Sequence, residues 1–199
     1  MAKRQPSNVD TWLGRETPRV RKALESASRY FDSNSRLTVH TLEAVYGQES
    51  SFGTMMRKPG SAAAAGHFHL EPNTAKRYGL NVSKNNDERF DMSRSSSAAA
   101  RYLRDLNKMF SRKTTILGHS RTVPITSAPE RKKFVLGAFN AGERHMADAQ
   151  RLAQEAGSNP RFWSEVQKFL EPANPKKRKS KRKSERDSAV CGKGCLLRD

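Results

Sequence analysis

Glu49 is the residue whose placement most suggests chemistry. It follows Leu42, Val45 and Tyr46 at i+7, i+4 and i+3, with Phe52 three residues on, so it projects from the apolar face of a helix. A carboxylate there is costly unless it is paired, protonated or functional. Burial raises a carboxyl pKa, which suits a general acid near neutral pH. The competing reading is a core-edge Glu held in a salt bridge, easily supplied by a chain with 38 Lys and Arg. Glu43, six residues earlier, points elsewhere.

Other reactive residue types offer less. His67 and His69 form an HxH pair, but zinc needs three or four ligands, and His40, His119 and His145 show no matching spacing. No metal and no cofactor is expected. Cys191 and Cys195 form CGKGC within nine residues of the end. A local disulfide, lipidation and inertness all remain open for them, and LLRD is not a prenylation box. No disulfide framework holds the fold.

The elements that must position Glu49 read as helices. Apolar spacing predicts one from Pro18 through Phe31, a second over roughly 38–48 and a short one from Glu71 to Tyr78. The clearest spans 92–110, with Asp91 as N-cap. Others follow at 129–140, 143–156 and 160–170, the last burying Phe162, Trp163, Val166, Phe169 and Leu170. Residues 50–70 read as a loop rich in Gly, Ser and Ala. Residues 111–128 read as a long connection with room for a small hairpin, although Pro124 argues against it. The expected fold is mainly α, with at most a small β-hairpin. The expected divisions are a loose N-terminal arm (1–16), one domain (17–171) and a basic tail (172–199).

Charge separates tail from body. The 199 residues carry 38 Lys/Arg against 20 Asp/Glu, a net +18. Residues 175–199 hold ten bases and three acids, so the tail is +7 and the rest +11. The tail is nearly without apolar residues before Val190 and is expected to be disordered. Its KKRKSKRK run suits nucleic acid or another anionic polymer, or simply solvates the chain. No apolar run approaches a membrane span, and MAKRQPSNVDTW lacks the apolar core of a secretory signal.

Four ordered blocks narrow the reading: ESSFG (49–53), GHFHLEPNTAKRYGL (66–80), DERFDMSRSSSAAARYLRDL (87–106) and GAFNAGERHM (137–146). Together, over roughly 38–156, the sequence resembles the lytic murein transglycosylases of the soluble-lytic type, family 23 of the glycoside hydrolases. The resemblance implies a lysozyme-like helical domain that cleaves the β-1,4 bond between N-acetylmuramic acid and N-acetylglucosamine, leaving a 1,6-anhydromuramyl end. It implies that Glu49 acts as acid and then base, since substrate-assisted glycosidases dispense with a second carboxylate. Ser50 would support the helix end, and Gly66 would let the backbone pass close to the cleft or is simply a flexible loop Gly. Phe68, at the family's Met position, would face a sugar or pack in the core. Asn140 would order a turn and the cleft wall, or is simply a helix C-terminal residue before Ala141-Gly142. The expected partner is a peptidoglycan glycan strand.

The sequence departs from the family pattern at His69 (family Gln) and at Phe139 (family Tyr). The family's cleft Ser maps to Gly60 or Ser61. The basic tail stands where the family usually continues, and 111–128 reads as an insertion that either covers the glycan or is a surface loop. Arg101, Arg104 and Lys108 share one side of the 92–110 helix, tracking anionic glycopeptide or merely solvated. Ser50, Ser61, Phe68, His69, Phe139 and Asn140 are therefore the expected substrate-binding residues. The location implied by the resemblance is the periplasm or cell wall; a phage product, a specialised secretion system and a domain cut from a longer protein are the contexts that fit a chain with no visible signal. The alternative is a weak or inactive lysozyme-like protein that binds glycan or nucleic acid.

Overall fold

Capping side chains and apolar spacing place the helices close to their expected positions. The computed structural model describes residues 8–116 and 120–173. Residues 1–7 of the arm, 117–119 with His119, and the tail from Asn174 onward, with both cysteines, lie outside the described residues. The single domain expected over 17–171 divides into two compact units, Met1–Asn107 and Lys108–Asp199.

The first unit holds α1 (Asn8–Leu13), α2 (Pro18–Ser28), α3 (Val39–Ser50), α4 (Pro72–Arg77) and most of α5 (Met92–Ser111), which crosses the division. Thr17 caps α2, its hydroxyl accepting the Val20 N–H at 3.3 Å, and Pro18 has the φ of a first helical position. Asp91 caps α5 as expected, accepting the Arg94 N–H at 2.8 Å. Leu24, Ala27, Leu42, Val45, Tyr46, Phe68, Ala99, Leu103 and Leu106 form the core. The arm is not loose throughout: residues 8–13 are helical, and the Trp12 ring lies where a Cβ on Gly47 of α3 would fall, 2.5 Å from its Cε3. The indole needs a helix with no side chain at that point, and Gly47 supplies it.

Glu43 does point away from Glu49, but not to water. It is buried, accepts a hydrogen bond from Arg21 of α2, and lies 2.6 Å from His40 Nδ1. Arg101 donates to the Tyr78 carbonyl and Arg104 pairs with Asp105, so these two cations have local partners.

The second unit holds α6 (Ala128–Ala141), α7 (Glu143–Glu155), α8 (Trp163–Val166) and α9 (Leu170–Ala173), with a 3₁₀ turn over Gln167–Phe169. Phe110, Phe134, Val135, Met146, Ala149 and Val166 fill its core, with Trp163 edge-on to Phe134 at 5.7 Å. The helix expected over 160–170 is broken into these short pieces. Phe162 precedes α8 in extended backbone and stays 49% exposed, so it is not the core residue expected. The 111–128 connection has hairpin-like pairing, with one bridge, Thr115 to Arg121. Ile116 N–H donates to Ser120 at 2.7 Å and Thr122 N–H to Thr114 at 2.9 Å. Among the described residues no helix is long and apolar enough to cross a membrane.

Candidate active site

The carboxylate singled out above stands in the last turn of α3, its side chain 15% exposed. Behind it the chain reverses through three successive left-handed residues, Ser51 (φ 48°), Phe52 (φ 55°) and Gly53 (φ 82°). Such backbone persists only where neighbours enforce it. Ser50 does so. Fully buried, its hydroxyl donates to the His67 carbonyl at 2.7 Å and accepts the Gly53 N–H at 3.1 Å. A Cβ on Gly53 would fall 2.7 Å from the Tyr46 hydroxyl, so the turn needs glycine for space as well as for φ. Arg15 closes the outside, donating to the Ser51 carbonyl at 3.0 Å.

A strap, residues 58–70, faces this helix end, and sequence reading missed what holds it. Arg89 is fully buried. Its guanidinium donates to the carbonyls of Ser61 (2.8 Å), Ala63 (2.9 Å) and Leu70 (3.1 Å). Its other donors grip the Asp87 carboxylate at 2.9 and 2.7 Å. Asp87 in turn accepts the Gly60 N–H at 2.8 Å. Burial alone would raise the Asp87 pKa, but the Arg89 and Gly60 hydrogen bonds outweigh it and hold it below the ordinary value. Gly66, at φ 82°, passes so close that a Cβ would fall 2.2 Å from the Arg89 carbonyl oxygen. The close approach at Gly66 is to the backbone of Arg89. Local signals were weak, because Asp-x-Arg in a polar turn ordinarily reads as surface.

Within the strap, His67 links the parts. Its Nε2 lies 3.1 Å from the Phe90 carbonyl, which can only accept, so this nitrogen carries the proton. Its Nδ1 then accepts from the Tyr46 hydroxyl at 3.0 Å. Burial pushes that hydroxyl up to about 12 and His67 below its usual 6.5, the latter partly offset by Phe90 and Asp91. The folded state therefore prefers neutral His67, while the unfolded chain protonates it near 6.5. Stability contributed by this site is complete above that pH and is lost as pH falls through it towards the folded pKa. Thermal unfolding at pH 7.5 and 5.5 should show a drop in the wild type that is smaller in His67→Gln; equal drops would contradict the assignment.

Phe68 is 1% exposed and stacks on Tyr46 at 5.4 Å. It packs in the core, and no ring face is left for a sugar. Ser61 caps a local turn, its hydroxyl accepting the Ala63 N–H at 3.2 Å, while Gly60 (φ 73°) sits against Lys84. His69, by contrast, reaches the acid. Its Nε2 donates to the Met55 carbonyl at 2.7 Å, and its Nδ1 faces Glu49 Oε2 at 3.7 Å. The strap thus brings together Glu49, Ser50 and His69, with Phe68 beneath. Phe139 (half-buried) and Asn140 (exposed) lie in the second unit, in the last turn of α6. There the turn itself is made by Gly142 (φ 91°), whose N–H donates to Ala138 at 2.8 Å.

Residues 27–162 match the family model described as the transglycosylase SLT domain, in one stretch that runs through both units. Among curated proteins, the chain is 29% identical over 153 residues to membrane-bound lytic murein transglycosylase F 2 of Alkalilimnicola ehrlichii, covering 77% of this chain and 29% of that protein. It is 29% identical over 146 residues to membrane-bound lytic murein transglycosylase F of Marinobacter nauticus, covering 73% and 25%. The protein of that name from Cronobacter sakazakii is 33% identical over 131 residues, covering 65% and 21%. The chain therefore spans less than a third of the length of these relatives.

Proposed function

The chain belongs to the transglycosylase SLT domain family, and on that premise we propose that it is a peptidoglycan lytic transglycosylase with Glu49 as its acid and base. The observation that carries the reading is the Glu49 carboxyl at the end of α3, partly open to solvent and opposite His69. The other α3 carboxylate, Glu43, is engaged by Arg21 and His40 and is turned to α2.

Protonated Glu49 gives its proton to the glycosidic oxygen between N-acetylmuramic acid and N-acetylglucosamine. The bond from C1 to that oxygen breaks, and the muramyl N-acetyl carbonyl stabilises the cationic C1. Glu49, now a carboxylate, takes the proton of the muramyl C6 hydroxyl as its oxygen bonds to C1. A 1,6-anhydro ring forms, and the enzyme returns to its starting state with no water consumed. His69 turns its Nδ1 to the acid at 3.7 Å and keeps the polar edge that the family's Gln would give.

Ser50 contributes by fixing the helix end, Phe68 by supporting the Tyr46 ring, and the Ser61 carbonyl by anchoring the strap. Phe139 and Asn140 are assigned to glycan by their motif alone. Action is at the cell wall, where the substrate lies. Soluble products released from purified sacculi should resist borohydride, because an anhydro end has no free aldehyde. Borohydride-reducible muramyl ends would instead identify a hydrolase, and no release with retained binding would identify a glycan-binding protein.

A further inference from the structure

The second unit carries a cavity of about 360 Å³ lined by Lys113, Arg121, Thr122, Val123, Pro124, Arg151 and Gln154. Three cations thus converge from separate segments: one before the hairpin-like turn, one after it and one on α7. The walls are pinned. Buried Gln150 holds the Val123 backbone through both its amide atoms, at 3.1 and 3.0 Å. Ser120 donates to Asp148 at 2.8 Å, and Thr122 donates to the Arg112 carbonyl at 2.9 Å. Arg151 is paired with Glu155 on its own helix, at an exposed site where such a pair is weak. Among the described residues, neither Lys113 nor Arg121 has an ion pair. Two cations are therefore held on a braced frame with no internal task, and a third is shared only with a solvated Glu.

We propose that this cavity binds a short peptide bearing more than one carboxylate, and that its ligand is the stem peptide of murein. Arginine forks and a lysine ammonium match carboxylates. Val123 and Pro124 add an aliphatic wall suited to alanine methyls, which a bare phosphate polymer does not need. Among the described residues no aromatic side chain lines the cavity, so they offer no platform for stacking bases. The choice of murein as the source rests on the function proposed above.

Calorimetric titration of the full chain with free stem tetrapeptide (L-alanyl-γ-D-glutamyl-meso-diaminopimelyl-D-alanine) tests the assignment, with tripolyphosphate and an oligothymidylate as comparison ligands. Both Lys113 and Arg121 are exposed, so Lys113→Ala/Arg121→Ala should fold, as circular dichroism checks. The tetrapeptide should bind the wild type, weaken with salt, and lose about 10- to 100-fold affinity in the double variant, as charge-assisted hydrogen bonds do when removed. Equal affinity for both proteins, no binding, or preference for tripolyphosphate or oligothymidylate would overturn the proposal. Glycan release by the same preparations separates the two readings. Peptide binding without cleavage would contradict the transglycosylase and support the cavity. Cleavage without peptide binding would do the reverse.

Discussion

Glu49→Gln should lower the rate of product release from sacculi by at least about 1,000-fold, within the range for loss of a general acid, and should leave the fold intact. Gln keeps the size and polarity of the side chain but can neither give the proton that the glycosidic oxygen needs nor take the one from the C6 hydroxyl. Both halves of the cycle fail together, so no partial reaction should accumulate. Glu49→Asp keeps the acid but withdraws it by one methylene, and should retain more activity than Gln while remaining about 100-fold slow or worse, as misplacement of about 1 Å can cost. If Glu49 were merely a structural partner of His69, Gln would lower stability and leave the rate within a few-fold. Turbidity loss of sacculi, with circular dichroism of each variant, distinguishes the cases.

Arg89→Met should be the most damaging single change to stability in the first unit. It removes five hydrogen bonds to Asp87, Ser61, Ala63 and Leu70 and leaves a carboxylate buried without its cation. Breaking such a pair from one side costs about 3–5 kcal/mol, a large share of the roughly 5–15 kcal/mol that holds a typical protein folded. Lysine cannot replace the fork, because its three donors do not span a carboxylate and three carbonyls in one plane. Removing both charges as Asp87→Leu/Arg89→Met should cost less than Arg89→Met alone, since no buried charge is then left over, although the three carbonyls stay unpaired. Chemical denaturation of the three proteins measures this directly. A loss under about 1 kcal/mol for Arg89→Met, typical of surface pairs, would contradict the strap's dependence on Arg89. His69 rides on that strap, so activity should fall with Arg89→Met even at temperatures where the chain stays folded.

How far the sequence foretold this arrangement depended on the range of the forces involved. The helices from Pro18 to Glu155 were legible because caps and apolar spacing act within a few residues. Glu49 was legible for the same reason, from its register with Leu42, Val45 and Tyr46. The 160–170 segment was misread because its Phe-Trp pair looked like one apolar face, while the backbone breaks before Trp163 and leaves Phe162 outside. Trp12 looked like part of a loose arm because its partner, Gly47, lies 35 positions away and is recognised only as a missing side chain. Arg89 was invisible for a related reason: three of its five acceptors are main-chain carbonyls, which no side-chain pattern records. Phe68 was left between sugar and core, and its stacking on Tyr46 places it in the core. The +11 body charge suggested only a general affinity for anions, whereas the structure gathers Lys113, Arg121 and Arg151 around one cavity.

The central claim is that one carboxyl, Glu49, breaks the glycan strand and closes the product ring without admitting water. Digestion of sacculi in ¹⁸O-labelled water, followed by mass spectrometry of the released muropeptides, tests this most directly. The expected result is muramyl ends lighter by one water and free of ¹⁸O, absent when Glu49→Gln replaces the wild type. Muramyl ends that carry one ¹⁸O from solvent, or unlabelled anhydro ends that persist in Glu49→Gln, would contradict it.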